Sequence, residues 1–155
     1  MSTRVARLTE SDWRMFARMR LRALTESLGE NDPNYRAEST FTAAQWRRRL
    51  REHAQFAALV EERPVGLIAA QQQDSGSAYL YSLWLHPSAR GRGLARRLVA
   101  ASLDWARGCG VHTVRLRVAA DNTAARGVYE SLGFRVAPDE TPDGRSEVAM
   151  TISVS

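Results

Sequence analysis

"HPSARGRGLARRLV", residues 86–99, interleaves Arg90 and Arg92 with Gly91 and Gly93 immediately before a run of helical period. Upstream, "AYLYSLWL" (78–85) reads as an apolar strand. Downstream, Leu94, Leu98, Ala101 and Trp105 recur at spacings of three and four, with Arg96, Arg97, Asp104 and Arg107 on the opposite face. The glycine-arginine stretch is therefore a strand-to-helix loop. A helix N-terminus carries unpaired backbone N–H groups and a partial positive charge, which makes it an anion site. Glycine at 91 and 93 lets the backbone turn and approach a ligand, and Ala95 keeps the first helical turn narrow. Arg90, Arg92 and Arg96 or Arg97 add charge-assisted donors at the rim. The combination suits a pyrophosphate.

Other phosphate loops fit less well. All 22 basic residues are arginine, so the lysine of a P-loop is missing. In a dinucleotide fingerprint a third glycine is needed where Arg96 stands. A flexible basic tail or a nucleic-acid patch is disfavoured by the position of the loop between strand and helix. The arginines at 47–51, 90–97 and 115–117 do form basic clusters, yet no groove-reading motif accompanies them, and no nucleic-acid partner is expected.

Working outward, "TRVARLT" (3–9) alternates as a short strand, and Trp13, Ala17, Leu21, Leu24 and Leu28 trace an amphipathic helix. The polar segment 29–41 reads as a loop, and Thr42 with Gln45 forms a capping box opening a second helix through about Glu52. "QFAALVEE", "VGLIAAQQQ" and "AYLYSLWL", separated by turns at Arg63-Pro64 and "DSGS", predict an antiparallel meander. After the helix beginning near Gly93 comes "GCG", a helix stop, then the strand "HTVRLRVA", the helix "NTAARGVYESL", the strand "FRVA", a turn region and the final strand "EVAMTISV". The order β-α-α-β-β-β-α-β-α-β-β predicts an α/β fold: a mixed, mostly antiparallel central sheet of about six to seven strands flanked by about four helices.

Two motifs make this chain resemble the GNAT family of N-acetyltransferases. "LHPSARGRGLARRLV" is similar to the acetyl-coenzyme A signature, with Arg90, Gly93 and Ala95 at the defining (Q/R)-x-x-G-x-(G/A) positions. Asn122, Ala125, Tyr129, Gly133 and Phe134 match a second family motif, N-x-x-A-x-x-x-Y-x-x-x-G-F, at the expected distance. Asn122, Ala125, Tyr129 and Leu132 share one helical face. The resemblance implies acetyl-CoA as co-substrate, bound by Leu83, Trp84 and Leu85 of the strand, by Arg90, Gly91, Arg92, Gly93, Leu94, Ala95 and Arg96 of the loop, and by Asn122, Ala125 and Tyr129. It implies that Asn122 hydrogen-bonds the pantetheine arm and that Tyr129 donates a proton to the departing thiolate. It also implies an oxyanion donor at a strand bulge around Leu83 or Trp84, and direct attack by a neutral amine. Consistent with direct attack, no G-x-S-x-G elbow is present and Cys109 sits in the helix-ending "GCG".

The sequence departs from the family where many members carry a glutamate on the strand before the signature: Tyr81 or Ser82 stands there. Tyr81, a water chain, or one of Glu30, Asp32, Glu38, Glu61 and Glu62 remains open as the route for the amine proton. His53, His86 and His112 are scattered, each reading as a surface or strand-end residue, and no metal cluster is seen. The first loop brings Glu26, Glu30, Asp32 and Glu38 together with Tyr35 and Phe41, a composition suited to a cationic amine. A small-molecule amine is the expected acceptor. A protein or peptide N-terminus or lysine, and a silent acetyl-CoA-binding sensor, stand as other readings.

At 155 residues, with 44% hydrophobic and 25% charged residues, one domain over 1–155 is expected, as monomer or homodimer. No apolar run of about 18 residues predicts a membrane span. The opening "MSTRVARLTE" lacks the apolar segment of a signal peptide, and the single cysteine suits a reducing compartment, so the expectation is cytoplasmic.

Overall fold

The fold is given by a computed structural model that describes residues 2–137 and 147–154. Strand β1 (Thr3–Arg7) is followed by helices α1 (Trp13–Leu28), α2 (Pro33–Glu38) and α3 (Ala43–Glu52). The meander β2 (Ala54–Val60), β3 (Arg63–Gln72) and β4 (Ser77–Leu85) leads to α4 (Leu94–Gly108), β5 (Thr113–Ala119), α5 (Thr123–Ser131), β6 (Arg135–Val136) and β7 (Glu147–Ser153). The strands form one sheet in the order β1-β2-β3-β4-β5-β7-β6. Every pairing is antiparallel except β4 with β5. The α/β class and the mixed, mostly antiparallel sheet match the expectation.

Two apolar layers sandwich the sheet. On one face, Leu94, Leu98, Val99 and Leu103 of α4 pack on Phe56, Ala58, Ile68, Ala78, Leu80, Val114, Leu116 and Met150. On the other, Phe16, Ala17, Met19 and Ala23 of α1 and Trp46 and Leu50 of α3 pack on Ala57, Leu59, Leu67 and Trp84. Strand β2 and the centre of β3 (66–70), covered on both sides, are buried almost throughout, whereas β5 alternates buried Val114, Leu116 and Val118 with exposed Arg115 and Arg117.

Two irregularities of β4 shape the site. It pairs with β5 through Ser77, Ala78 and Tyr79 alone, so the strands diverge beyond Tyr79 and open a V in the sheet. Against β3, Leu67 faces Trp84 and Ala69 faces Tyr81, so Ile68 stands opposite both Ser82 and Leu83. This is a β-bulge, and Ser82 adopts φ 60, an uncommon conformation for a serine.

Three expectations are corrected. Segment 29–41 holds α2, a single short helix whose N-cap Asp32 accepts from Asn34 and Tyr35 N–H, with Pro33 in the first turn. The β2–β3 turn lies at Glu61-Glu62, not Arg63-Pro64: both glutamates have positive φ (51 and 63), and Pro64 belongs to β3. Contacts from β1 and the residue before it hold this turn, since Glu61 N–H donates to Ser2 carbonyl and Arg4 pairs with Glu62. On α4 the buried stripe runs Leu94, Leu98, Val99, Ser102, Leu103 and Ala106, leaving Ala101 and Trp105 at its margin. The expected 138–146 turn region lies outside the described residues.

Candidate functional site

The V between β4 and β5 is a cleft of about 250 Å³. Tyr81, Ser82 and Leu83 of β4 form one wall, and Arg117, Val118 and Ala119 of β5, Glu147 of β7, and Asn122, Ala125 and Tyr129 form the other. Tyr129 is 7% exposed, packs edge-on against Phe134, and its hydroxyl has no protein partner among the described residues. Burial pushes its pKa up to about 12, so the phenol keeps its proton and is suited to giving it to a stronger base. Asn122 is the N-cap of α5, its side-chain oxygen accepting from Ala125 N–H at 3.1 Å. This orients the Asn122 amide and leaves its N–H donors for a ligand.

Beyond the cleft, β4 ends at Leu85, a 3₁₀ turn spans Pro87–Ala89, and the glycine-arginine loop enters α4. Gly91 (φ 79) and Gly93 (φ 78) occupy the left-handed region where a side chain is strained. Gly93 is the N-cap, and Arg97 N–H is the first to bond back, to Gly93 carbonyl. The N–H groups of Leu94, Ala95 and Arg96 therefore lack an intrahelical acceptor. A nest of backbone donors with no Cβ at 91 or 93 fits a pyrophosphate.

The predicted residues divide by what they offer. Leu94 is 1% exposed and Trp84 7%; both side chains lie in the cores, so these two residues present only backbone. Arg90, half exposed at its side chain, is engaged by the protein at the surface: Nε donates to Leu85 carbonyl at 3.1 Å and Nη2 to Glu26 at 2.9 Å. Glu26 also accepts from Trp84 Nε1 at 2.6 Å. Arg90 thus fastens the loop to β4 and α1. Arg96 Nε reaches Ser131 at 3.3 Å, and Arg97 is held by Thr3 on β1, away from the cleft.

On the α1 side of the bulge lies a buried charge cluster. Glu38, 5% exposed, accepts from Arg20 Nε at 3.0 Å, Arg20 Nη2 at 3.3 Å and Arg49 Nη1 at 2.7 Å. Arg20 Nη1 donates to Ser82 Oγ at 3.0 Å. One arginine therefore ties the strained Ser82 to a buried carboxylate. Next to Ser82, Tyr81 hydrogen-bonds His53 Nδ1, the rings standing edge-on. Burial raises the Tyr81 pKa and lowers that of His53. Sequence reasoning missed Arg20, Arg49 and His53. Arg20 and His53 sit 62 and 28 residues from their β4 partners Ser82 and Tyr81, and Arg49 sits 11 from Glu38, beyond the reach of any local pattern.

The fold coincides with that of known proteins. The model of the Acetyltransferase (GNAT) family matches residues 16–134, most of the chain. The chain belongs to this family. A mycothiol acetyltransferase of Gordonia bronchialis is 38% identical over 92 residues, 59% of this chain and 30% of that protein. The L-amino acid N-acyltransferase MnaT of Escherichia coli is 38% identical over 56 residues, 36% of this chain and 33% of its own. The chain thus spans about a third of the length of these relatives. In fold, the GNAT acetyltransferase of Streptococcus pneumoniae superposes with a TM-score of 0.79 at 15% identity, covering 99% of this chain and 100% of that one.

Proposed function

We propose that this GNAT protein transfers the acetyl group of acetyl-CoA to a primary amine of a small molecule by direct attack. The observation that carries the reading is the juxtaposition at β4: a strained bulge at Ser82–Leu83 opens on the same cleft as the buried, protonated Tyr129. The strand then runs directly into the donor-lined loop 91–96. Acetyl-CoA supplies the activated acyl group. Backbone N–H groups from Gly91 to Arg96 hold its pyrophosphate, and the edge of β4 at Leu83–Leu85 with the Asn122 amide receives the pantetheine arm. Backbone N–H at Leu83 or Trp84 stabilises the developing oxyanion, and Tyr129 protonates the thiolate as it leaves.

The names of the relatives support a small acceptor: mycothiol acetyltransferase and L-amino acid N-acyltransferase. Arg117 and Glu147, 3.5 Å apart and both lining the cleft, give it one charge of each sign for a polar acceptor. Calorimetric titration of acetyl-CoA into wild type and Gly93→Val, followed by CoA-release assays over a panel of amines, tests the reading. Binding that Gly93→Val abolishes in a folded protein, with release on small amines, is the expected outcome. Release on peptides alone moves the acceptor to protein. Binding with no release makes the protein a sensor, and no binding refutes the proposal.

A further inference from the structure

Resting on the acetyltransfer reading, we infer that the amine proton leaves the cleft through Tyr81 to His53, which stands as the proton acceptor on the far side of the β4 wall. Tyr81 lines the cleft immediately before the bulge, and its hydroxyl bonds His53 Nδ1. With Nδ1 accepting, the ring proton sits on Nε2. His53 is the C-cap of α3, its backbone N–H held by Arg49 carbonyl at 3.1 Å, so the ring is fixed at the junction of α3 and β2. The ring also lines a second hollow with Phe41, Gln45, Arg48, Arg49 and Glu52, which opens to solvent away from the cleft.

Four of the five carboxylates that stand as other routes are engaged elsewhere, and Glu147, which lines the cleft, pairs with Arg117. Glu38 is held by Arg20 and Arg49, and Asp32 caps α2. Glu61 accepts from Ser2 N–H, and Glu62 pairs with Arg4. The step balances as a two-proton relay. As the amine nitrogen bonds the acetyl carbon, its proton moves to the Tyr81 oxygen while the phenol proton moves to His53 Nδ1. The resulting imidazolium gives up a proton to water in the outer hollow. Neutral imidazole is the form that accepts, and burial, the largest influence on His53, favours it. The charged neighbours are Glu52 and Arg49 on α3, with Arg48 also lining the hollow; Arg20 on α1 and Glu38 face Tyr81, and Gln55 on β2 hydrogen-bonds it. His53 acts through Tyr81 and is a positioning residue; Tyr81 touches the amine.

The test compares wild type, His53→Asn, Tyr81→Phe and the double variant by kcat at saturating amine across pH. Asparagine keeps an oxygen near Nδ1 to accept from Tyr81 but does not take its proton. Saturation keeps ionisation of the free amine out of the profile. The expected result is a fall of about 100-fold in kcat for His53→Asn. Its acid limb is lost, the KM for acetyl-CoA is unchanged, and the double variant is no slower than Tyr81→Phe. His53→Asn with wild-type kcat and an unchanged acid limb overturns the relay while leaving acetyltransfer intact. Absence of turnover by wild type on every amine overturns both. If His53→Asn fails to bind acetyl-CoA, His53→Gln, which retains bulk and polarity, is read in its place by the same criteria.

Discussion

Glu38→Ala probes whether the buried charge cluster holds the bulge. The carboxylate accepts three charge-assisted hydrogen bonds, at 2.7, 3.0 and 3.3 Å, while the residue is 5% exposed. Its loss leaves the Arg20 cation, 18% exposed at the side chain, with Ser82 as its remaining neutral partner. Breaking one side of a buried pair costs about 3–5 kcal/mol. Arg49 is a third exposed and lies over Phe41 and Trp46, so it rehydrates readily, which places the expected cost at the lower end, about 3 kcal/mol. For a chain of this length that corresponds to a drop in Tm of about 6–12 °C. Glu38→Gln, which keeps an acceptor but loses the charge, is expected to cost about half as much. Removing both ends in Arg20→Met/Glu38→Leu is expected to be milder than Glu38→Ala, because no buried cation is stranded. Thermal denaturation by circular dichroism reads all of these. A Glu38→Ala protein melting within about 2 °C of wild type refutes the argument, because an uncompensated buried arginine cannot be that cheap.

Tyr129→Phe is expected to lower kcat by about 100-fold while leaving calorimetric acetyl-CoA affinity nearly unchanged; equal turnover removes the acid role. Since the Tyr129 pKa is pushed up to about 12, the wild-type kcat profile is expected to show no basic limb from this phenol below about pH 10. Gly66→Ala would put a Cβ 2.4 Å from Leu85 Cδ2 and 3.0 Å from Trp84 carbonyl, forcing the end of β4 outward. About 2 kcal/mol of stability and a raised KM for acetyl-CoA are expected, measured by melting and steady-state kinetics. Hydrogen bonds from Trp84 and then Arg90 hold the Glu26 carboxyl below the usual carboxylate range. Because the folded-state pKa is the lower one, the stability it contributes is present above the unfolded pKa and is lost as pH falls through the folded value. Acid titration of the Trp84 fluorescence is expected to show that transition, and Glu26→Gln to abolish it.

Much of the architecture is local in origin and therefore readable in the chain. Alternation marks β5, the Thr42/Gln45 capping box opens α3, and glycines at 91 and 93 mark the turn into α4. Asn122, Ala125 and Tyr129 fall on one face because the helical period puts them there, and the structure brings that face to the cleft. What the chain alone does not encode is pairing between distant elements. The bulge at Ser82 exists because β3 and β4 differ by one residue in register, and Arg20 of α1 ties it to Glu38. Arg90, read from its motif as a phosphate donor, is recruited by Glu26, 64 residues away. His53 reads as a surface or strand-end residue in sequence and becomes a partner of Tyr81 only when the junction of α3 and β2 is placed beside β4. Local propensity and spacing write the elements and the loop, because those depend on neighbours within a few residues. Burial and the need to satisfy charges across the core decide which side chains meet, and that is a property of the tertiary structure.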